Sequence, residues 1–220
     1  MADRPRTATN PTENLPDGPS LDELREAYAA TAERRTRPPL IDRLLKSRYR
    51  RQHFGQARGR VLDVACGLGT NYRYLPDSVE YVGVDTTREM LETTKDRFNG
   101  LGTMDALAQM DVVALAFPDD AFDTVVSSFS TCAFPDPVAA IREMGRVCAP
   151  DGRILLLEHG RSDVELLGRL QDWRVDTELA GDVCRWSQDP VANVRRAGLT
   201  ITETRSWLAG IVTAIEARPP

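Results

Sequence analysis

Histidine is scarce in this chain, limited to His53 and His159, and the four cysteines, Cys66, Cys132, Cys148 and Cys184, form no C-x-x-C pair. Zinc modules and disulfide frameworks need thiols or imidazoles at short, repeated spacings, so neither is expected and no metal is assigned. Positive charge is not in excess either: 28 Lys and Arg face 33 Asp and Glu, a net of −5. That excludes a broad basic field for nucleic acid. Long apolar runs are missing; the longest, Val112 to Phe117, is far short of the roughly 20 residues that span a bilayer. No basic-then-apolar leader opens the chain, so a cytoplasmic protein with no integral membrane segment is expected.

The 220 residues suit one globular unit with a substantial core. Its most informative stretch is Arg60-Val61-Leu62-Asp63-Val64-Ala65-Cys66-Gly67-Leu68-Gly69-Thr70-Asn71-Tyr72. It reads as a buried strand, a glycine turn and a following helix, whose free N–H groups and dipole would favour a polar or anionic ligand. A second strand ends on Asp85, twenty-two positions after Asp63, where a carboxylate accepts from ribose hydroxyls. A third segment ends on Asp111 and Val112, placed to take an adenine amine. Three strand-end acids in this order point to an adenosyl ligand. A dinucleotide is disfavoured, because the G-x-G-x-x-G count from Gly67 puts Tyr72 where the third glycine packs against the sheet.

Val61 to Thr70 resembles motif I of the class I S-adenosylmethionine-dependent methyltransferases, of the type 11 domain. The similarity continues through Val82 to Leu91, through Asp111 with Leu115 to Asp123, and through Glu143 to Arg153, covering about residues 60 to 160. One departure is Ala65, where that family usually carries glycine. The resemblance implies an α/β, Rossmann-like, seven-stranded, mostly parallel sheet with helices on both faces and an antiparallel C-terminal hairpin. It implies S-adenosyl-L-methionine as cofactor, with Asp63, Ala65, Cys66, Gly67 and Gly69 around the methionine moiety, Asp85 and Thr86 at the ribose, and Met90, Asp111 and Val112 at the adenine. Ser127 or Ser128 falls to the amino-acid end, and Tyr28 to a contact from the N-terminal helices.

Along the chain, residues 1–20 are proline-rich and read as a disordered tail, 21–55 as a helical cap and 56–220 as the methyltransferase domain. Ser20 and Glu23 form a capping box that opens a helix over 21–35. A second helix, about 40–53, carries Arg43, Lys46, Arg48, Arg50 and Arg51 beside an apolar face. Those cations read either as a solvated face or as attraction to anionic lipid. Alternating strands and helices follow: strands at 60–64, 81–85, 106–110, 122–127 and 153–158, with Ala149-Pro150-Asp151-Gly152 as a turn before the last. Helices are expected near 71–75, 88–99, 137–147, 164–178 and 189–197, then strands at 199–206 and 211–217.

Cys132, Glu158, His159 and Trp186 are expected at the substrate pocket. His159 is the candidate general base, because an unperturbed imidazole has a pKa of about 6.5 that suits proton transfer near neutrality, against the plain reading of a loop hydrogen-bonder. His53 reads as a surface residue, and Trp173, Trp186 and Trp207 as core or pocket wall. Ser130-Thr131-Cys132-Ala133 stands where ubiquinone-pathway enzymes often have paired histidines. Leu157-Glu158-His159, and Asp182-Val183-Cys184 with Leu199 fifteen positions on, resemble the methyltransferase-like seven thiol methyltransferases, with a weaker likeness to bacterial phospholipid N-methyltransferases. The expected activity is methylation of a small-molecule acceptor, thiol first, with phospholipid amine or quinone and phenol as alternatives. A non-catalytic S-adenosylmethionine-binding protein is the rival of another class.

Overall fold

The computed structural model describes residues 20–34, 40–98, 104–178 and 184–220. The expected tail lies outside the described residues except for Ser20, as do Pro38, Pro39, Asp182 and Val183. Ser20 caps the first helix, α1 (Leu21–Arg34): its N–H donates to Glu23 at 2.7 Å and its Oγ accepts from the Glu23 N–H at 3.3 Å. Helix α2 (Leu40–Phe54) follows.

The sheet is built from β1 (Arg60–Val64), β2 (Glu80–Asp85), β3 (Met104–Gln109), β4 (Phe122–Ser128), β5 (Cys148–His159), β6 (Thr200–Trp207) and β7 (Val212–Arg218). Helices α3 (Arg88–Phe98), α4 (Pro137–Val147), α5 (Glu165–Glu178) and α6 (Pro190–Arg196) connect them. Strand order is β3-β2-β1-β4-β5-β7-β6. The first five pair in parallel, and β7 runs antiparallel to both β5 and β6. This is the mostly parallel, Rossmann-like sheet with a C-terminal hairpin that the family resemblance implies.

Period-two alternation divides the core. On β1, Leu62 and Val64 face a cluster with Val125, Ile141, Met144, Ile154 and Leu156, where α4 and α6 cover the sheet. Val61 faces the opposite side, with Tyr81, Val126, Leu155, Leu157 and, from α2, Tyr49 and Phe54. Both faces are therefore buried, as a parallel sheet requires. Chain order reverses between β1 and β4, which opens a crevice at their carboxyl ends.

Several expectations change here. The stretch after motif I is a single 3-10 turn, Tyr72–Tyr74, because Pro76 follows at once; a turn this short presents no helix dipole to a ligand. Ala149 to Gly152 lies inside β5 as a register shift against β4, not as a turn before it. Gly152 permits this, since a side chain there would meet Cys148 Sγ and the Ala149 carbonyl at 2.8 Å. His53 is buried, its Nε2 3.2 Å from the Ile215 carbonyl, so it is not a surface residue. Trp173 is 63% exposed on α5 and is neither core nor pocket wall, whereas Trp207 stacks on Tyr49 at 4.6 Å.

Candidate active site

The turn leaving β1 reverses through left-handed backbone: Ala65 at φ 55°, Gly67 at 52° and Gly69 at 65°. Glycine enters that region freely, whereas alanine costs about 1–2 kcal/mol there. The turn is tied to the next strand by Cys66 N–H to the Val84 carbonyl at 2.9 Å, and to α3 by Thr94 Oγ1 to the Gly67 carbonyl at 2.7 Å. Asp85, at the tip of β2, accepts from the Gly67 N–H at 2.9 Å and from the Thr87 N–H at 2.8 Å. Both carboxylate oxygens are thus fixed, each keeping lone-pair capacity for a hydroxyl. Burial raises the Asp85 pKa, and these backbone donors oppose the rise.

In front of this turn lies a cavity of about 460 Å³. Its floor is Ala65, Cys66, Gly67 and Leu68; Asp85, Thr86, Met90, Asp111 and Val112 form one wall. α1 contributes Leu21, Leu24 and Tyr28 to the lining, and the end of β4 and the segment after it contribute Ser128, Phe129, Ala133 and Phe134. α1 is held over the cavity by Arg25, whose Nε donates to Thr86 Oγ1 at 3.2 Å. A methyl group built on Gly67 would meet no heavy atom within 4 Å, so open space stands directly over that backbone. The volume and the polar-edged, apolar-walled lining suit a nucleoside-sized ligand.

Asp63 and Ser127 do not line the cavity. Asp63 is fully buried, its carboxylate accepting from Asn71 Nδ2 and from the Tyr81 hydroxyl, each at 2.9 Å. Burial pushes its pKa up to about 7, against those two donors and the Arg50 charge. Ser127 is buried too, its Oγ bonding the Val64 carbonyl at 2.8 Å and Ser130 Oγ. Gly69 stands outside the lining as part of the turn itself. Asp63 and Ser127 point into the sheet, where alternation sends every second side chain away from the crevice.

Arg50 is the residue that sequence reasoning passed over. It belongs to the basic α2, yet its Nε donates to Asn71 Oδ1 at 3.0 Å and its Nη2 to Ser128 Oγ at 3.2 Å, and its guanidinium lies 5.1 Å from the Phe129 ring centre. Ser128 Oγ in turn bonds Asn71 Oδ1 at 2.8 Å. Asp63, through Asn71, therefore positions a cation that lines the cavity. Periodicity alone put Arg50 among the cations of a solvated or lipid-attracting face.

Cys132, Glu158, His159 and Trp186, expected at the substrate pocket, are absent from the cavity lining. Phe129, at φ 52°, lies between: its ring lines the cavity and stacks on His159 at 6.3 Å, with Trp186 on His159 at 4.5 Å. His159 Nε2 is 3.0 Å from Cys184 Sγ, and its Nδ1 has no partner among the described residues. Glu158 is fully buried and accepts from the Ser130 and Thr131 N–H groups, and burial pushes its pKa up to about 7. The assignment of no metal rested on spacing, yet the fold brings Cys132, His159 and Cys184 within 4.8 Å.

Residues 62–156 match the methyltransferase domain family. The mitochondrial methyltransferase OMS1 of Saccharomyces cerevisiae is 28% identical over 182 residues, 73% of this chain and 38% of the relative. Phosphatidylethanolamine N-methyltransferase of Cereibacter sphaeroides is 35% identical over 113 residues, 50% of this chain and 56% of the relative. The chain thus spans less than two thirds of either relative. Among solved structures, a SAM-dependent methyltransferase from Aquifex aeolicus aligns with a TM-score of 0.61 at 17% identity, covering 87% of this chain and 98% of that one. The [4+2]-cyclase SpnF aligns with a TM-score of 0.62 at 20% identity, covering 81% and 80%. These two share the fold, and the fold leaves the chemistry open. No helix among the described residues is long and apolar enough to cross a membrane.

Proposed function

We propose that this chain, whose residues 62–156 match the methyltransferase domain family, is a class I S-adenosylmethionine-dependent methyltransferase that methylates a small, largely apolar acceptor. The observation that carries the proposal is the convergence of the Ala65 to Leu68 turn, Asp85 and Asp111 on one cavity. Asp85, with its orientation fixed by two backbone donors, holds the ribose hydroxyls. Asp111 and the Val112 backbone hold the adenine edge, and Met90 packs on its face. Arg50 and Ser128 take the carboxylate of the methionine moiety, opposite the strained turn. S-adenosylmethionine supplies a methyl group on a sulfonium, already electrophilic.

The chain's contribution is then to hold an acceptor in line and keep water out, which alone supplies several powers of ten in rate. Leu21, Leu24, Tyr28, Phe129 and Phe134 form the apolar end for that acceptor. His159 sits behind Phe129, so no imidazole reaches the cavity as general base. Acceptors that reach their nucleophilic form without strong assistance are favoured. Thiols, with pKa about 8.5, rank first. The cytoplasmic location expected from sequence remains part of this reading.

Phospholipid amine is the second reading. It rests on the likeness to the Cereibacter enzyme and on the exposed Arg48 and Arg51 of α2. Calorimetry with S-adenosylhomocysteine against NADH tests the cofactor, and preference for NADH ends the reading. Labelled methyl donor offered to thiols, phenols, amines and lipid extract then identifies the acceptor. Transfer to a thiol with the protein remaining in the supernatant of a liposome spin supports the first reading; transfer to lipid amines supports the second. Tight binding with no transfer to any of them marks a non-catalytic binder.

A further inference from the structure

Three side chains that the adenosyl cavity does not use meet behind its wall. Cys132 follows β4, His159 ends β5 and Cys184 precedes α6. Cys184 Sγ lies 2.9 Å from Cys132 Sγ and 3.0 Å from His159 Nε2, and the three ligand atoms all fall within 4.8 Å of one another. Cys132 and His159 are 1% and 6% exposed; Cys184 is half-buried. We propose that Cys132, His159 and Cys184 hold a thiophilic divalent cation of the zinc type, with a fourth position open on the Cys184 side.

The chemistry of the donors supports the assignment. Two thiolates and one imidazole are the ligand set that zinc prefers over harder cations. A divalent ion with two thiolates and a neutral imidazole is uncharged overall, so the loaded cluster carries little desolvation penalty in a buried place. As the ion enters, each thiol gives its proton to solvent and no electron moves.

The ligands are also held before any ion arrives. The Trp186 and Phe129 rings stack with the imidazole at 4.5 and 6.3 Å between centroids, 28° and 18° from its plane, which restricts its rotation. The Arg185 N–H donates to the Cys132 carbonyl at 3.1 Å, and Gln188 Nε2 donates to the His159 carbonyl at 3.0 Å. The segment carrying Cys184 is therefore pinned at both sides of the cluster. Zinc–sulfur bonds of about 2.3 Å set tetrahedral sulfurs about 3.8 Å apart. Opening the thiol pair from 2.9 Å is a side-chain adjustment of about 1 Å, with no change in the backbone bonds just described. Disulfide formation, by contrast, would draw the sulfurs to about 2.05 Å and take them from the imidazole.

Titration of the reduced full chain with Co²⁺ tests the site independently of any methyl transfer. One equivalent per chain should bring up thiolate-to-cobalt charge-transfer absorption and tetrahedral visible bands, reversed by one equivalent of Zn²⁺. Cys184→Ser and His159→Ala should each lose at least nine tenths of the charge-transfer band at equimolar metal. Cys148→Ala, which removes a thiol outside the cluster, should keep it. In the unmutated protein, which needs no variant to fold, Zn²⁺ should shield two thiols from a thiol-specific reagent. Absence of the band in the folded, reduced chain overturns the proposal. So does its survival in Cys184→Ser, or a Cys132–Cys184 disulfide that forms equally fast with and without Zn²⁺.

Discussion

The Tyr81 hydroxyl donates to the Asp63 carboxylate at 2.9 Å in the interior of the sheet, across the parallel pair β1 and β2. Asp63 has no exposure to solvent, and its second oxygen is taken by Asn71. A buried carboxylate with two donors is stable only while both remain. Tyr81→Phe leaves shape nearly intact and removes one donor. It should cost about 1–3 kcal/mol, read as a lower urea midpoint at unchanged m-value.

The same carboxylate gives stability a pH dependence. An unfolded aspartate titrates near 3.9, whereas Asp63 in the fold titrates at about 7. Between those values the folded state keeps a proton that the unfolded chain has released. The contribution of Asp63 is therefore complete below about pH 4 and declines as pH rises through about 7. His53 has the opposite sign: burial lowers it to about 4, so its contribution is present above about pH 6.5 and is lost as pH falls toward 4. Subtracting Asp63→Asn from the unmutated protein isolates the first effect. The stability difference between them should shift in favour of the variant from pH 5 to pH 8, in urea melts at each pH.

Ala65 sits at φ 55° in the turn that lines the cavity floor. Ala65→Gly releases about 1–2 kcal/mol of backbone strain and incurs about 0.5–1 kcal/mol of added chain entropy. The net should be a gain of about 0.5–1 kcal/mol and a Tm about 1–4 °C higher by calorimetry. A fall in Tm would mean that the alanine methyl makes a packing contact worth more than the strain.

Asp85 and Arg50 both line the cavity and are assigned to different ends of an adenosyl ligand, so their variants should separate those two ends. Asp85→Asn should weaken S-adenosylhomocysteine about 10–100-fold, as expected for hydrogen bonds to a charged acceptor. 5′-Methylthioadenosine, which keeps the ribose, should weaken equally. Arg50→Met should weaken S-adenosylhomocysteine about tenfold and leave 5′-methylthioadenosine unchanged, because that ligand has no carboxylate. Equal losses for both ligands in Arg50→Met would assign Arg50 to folding of the Asn71 and Ser128 network.

Much of the site was legible because it depends on local pattern. Strand-end position put Asp85, Asp111 and Ser128 near the crevice, the family resemblance added Met90, and all four line it. The same reasoning could not say which way a strand-end side chain points: Asp63 and Ser127 face inward and support neighbours. Arg50 was hidden because helical periodicity marks a face as polar without saying whether water or a cavity lies against it. Cys132, His159 and Cys184 were hidden because 27 and 25 positions separate them, and no short spacing announces their meeting.

Alternation of buried strands with amphipathic helices, glycines at the first strand end and an acid at each of the next two were enough to specify a parallel sheet with a crevice at its carboxyl edge. Each of those features is set by neighbours within a few residues, so local chain chemistry carries it. The partnership of Arg50 with Asn71 and Ser128, the screening of His159 by Phe129 and the thiol–imidazole triangle arise only when distant segments pack. They depend on which side chains share a buried volume, and that is settled by the closing of the core and not by spacing along the chain.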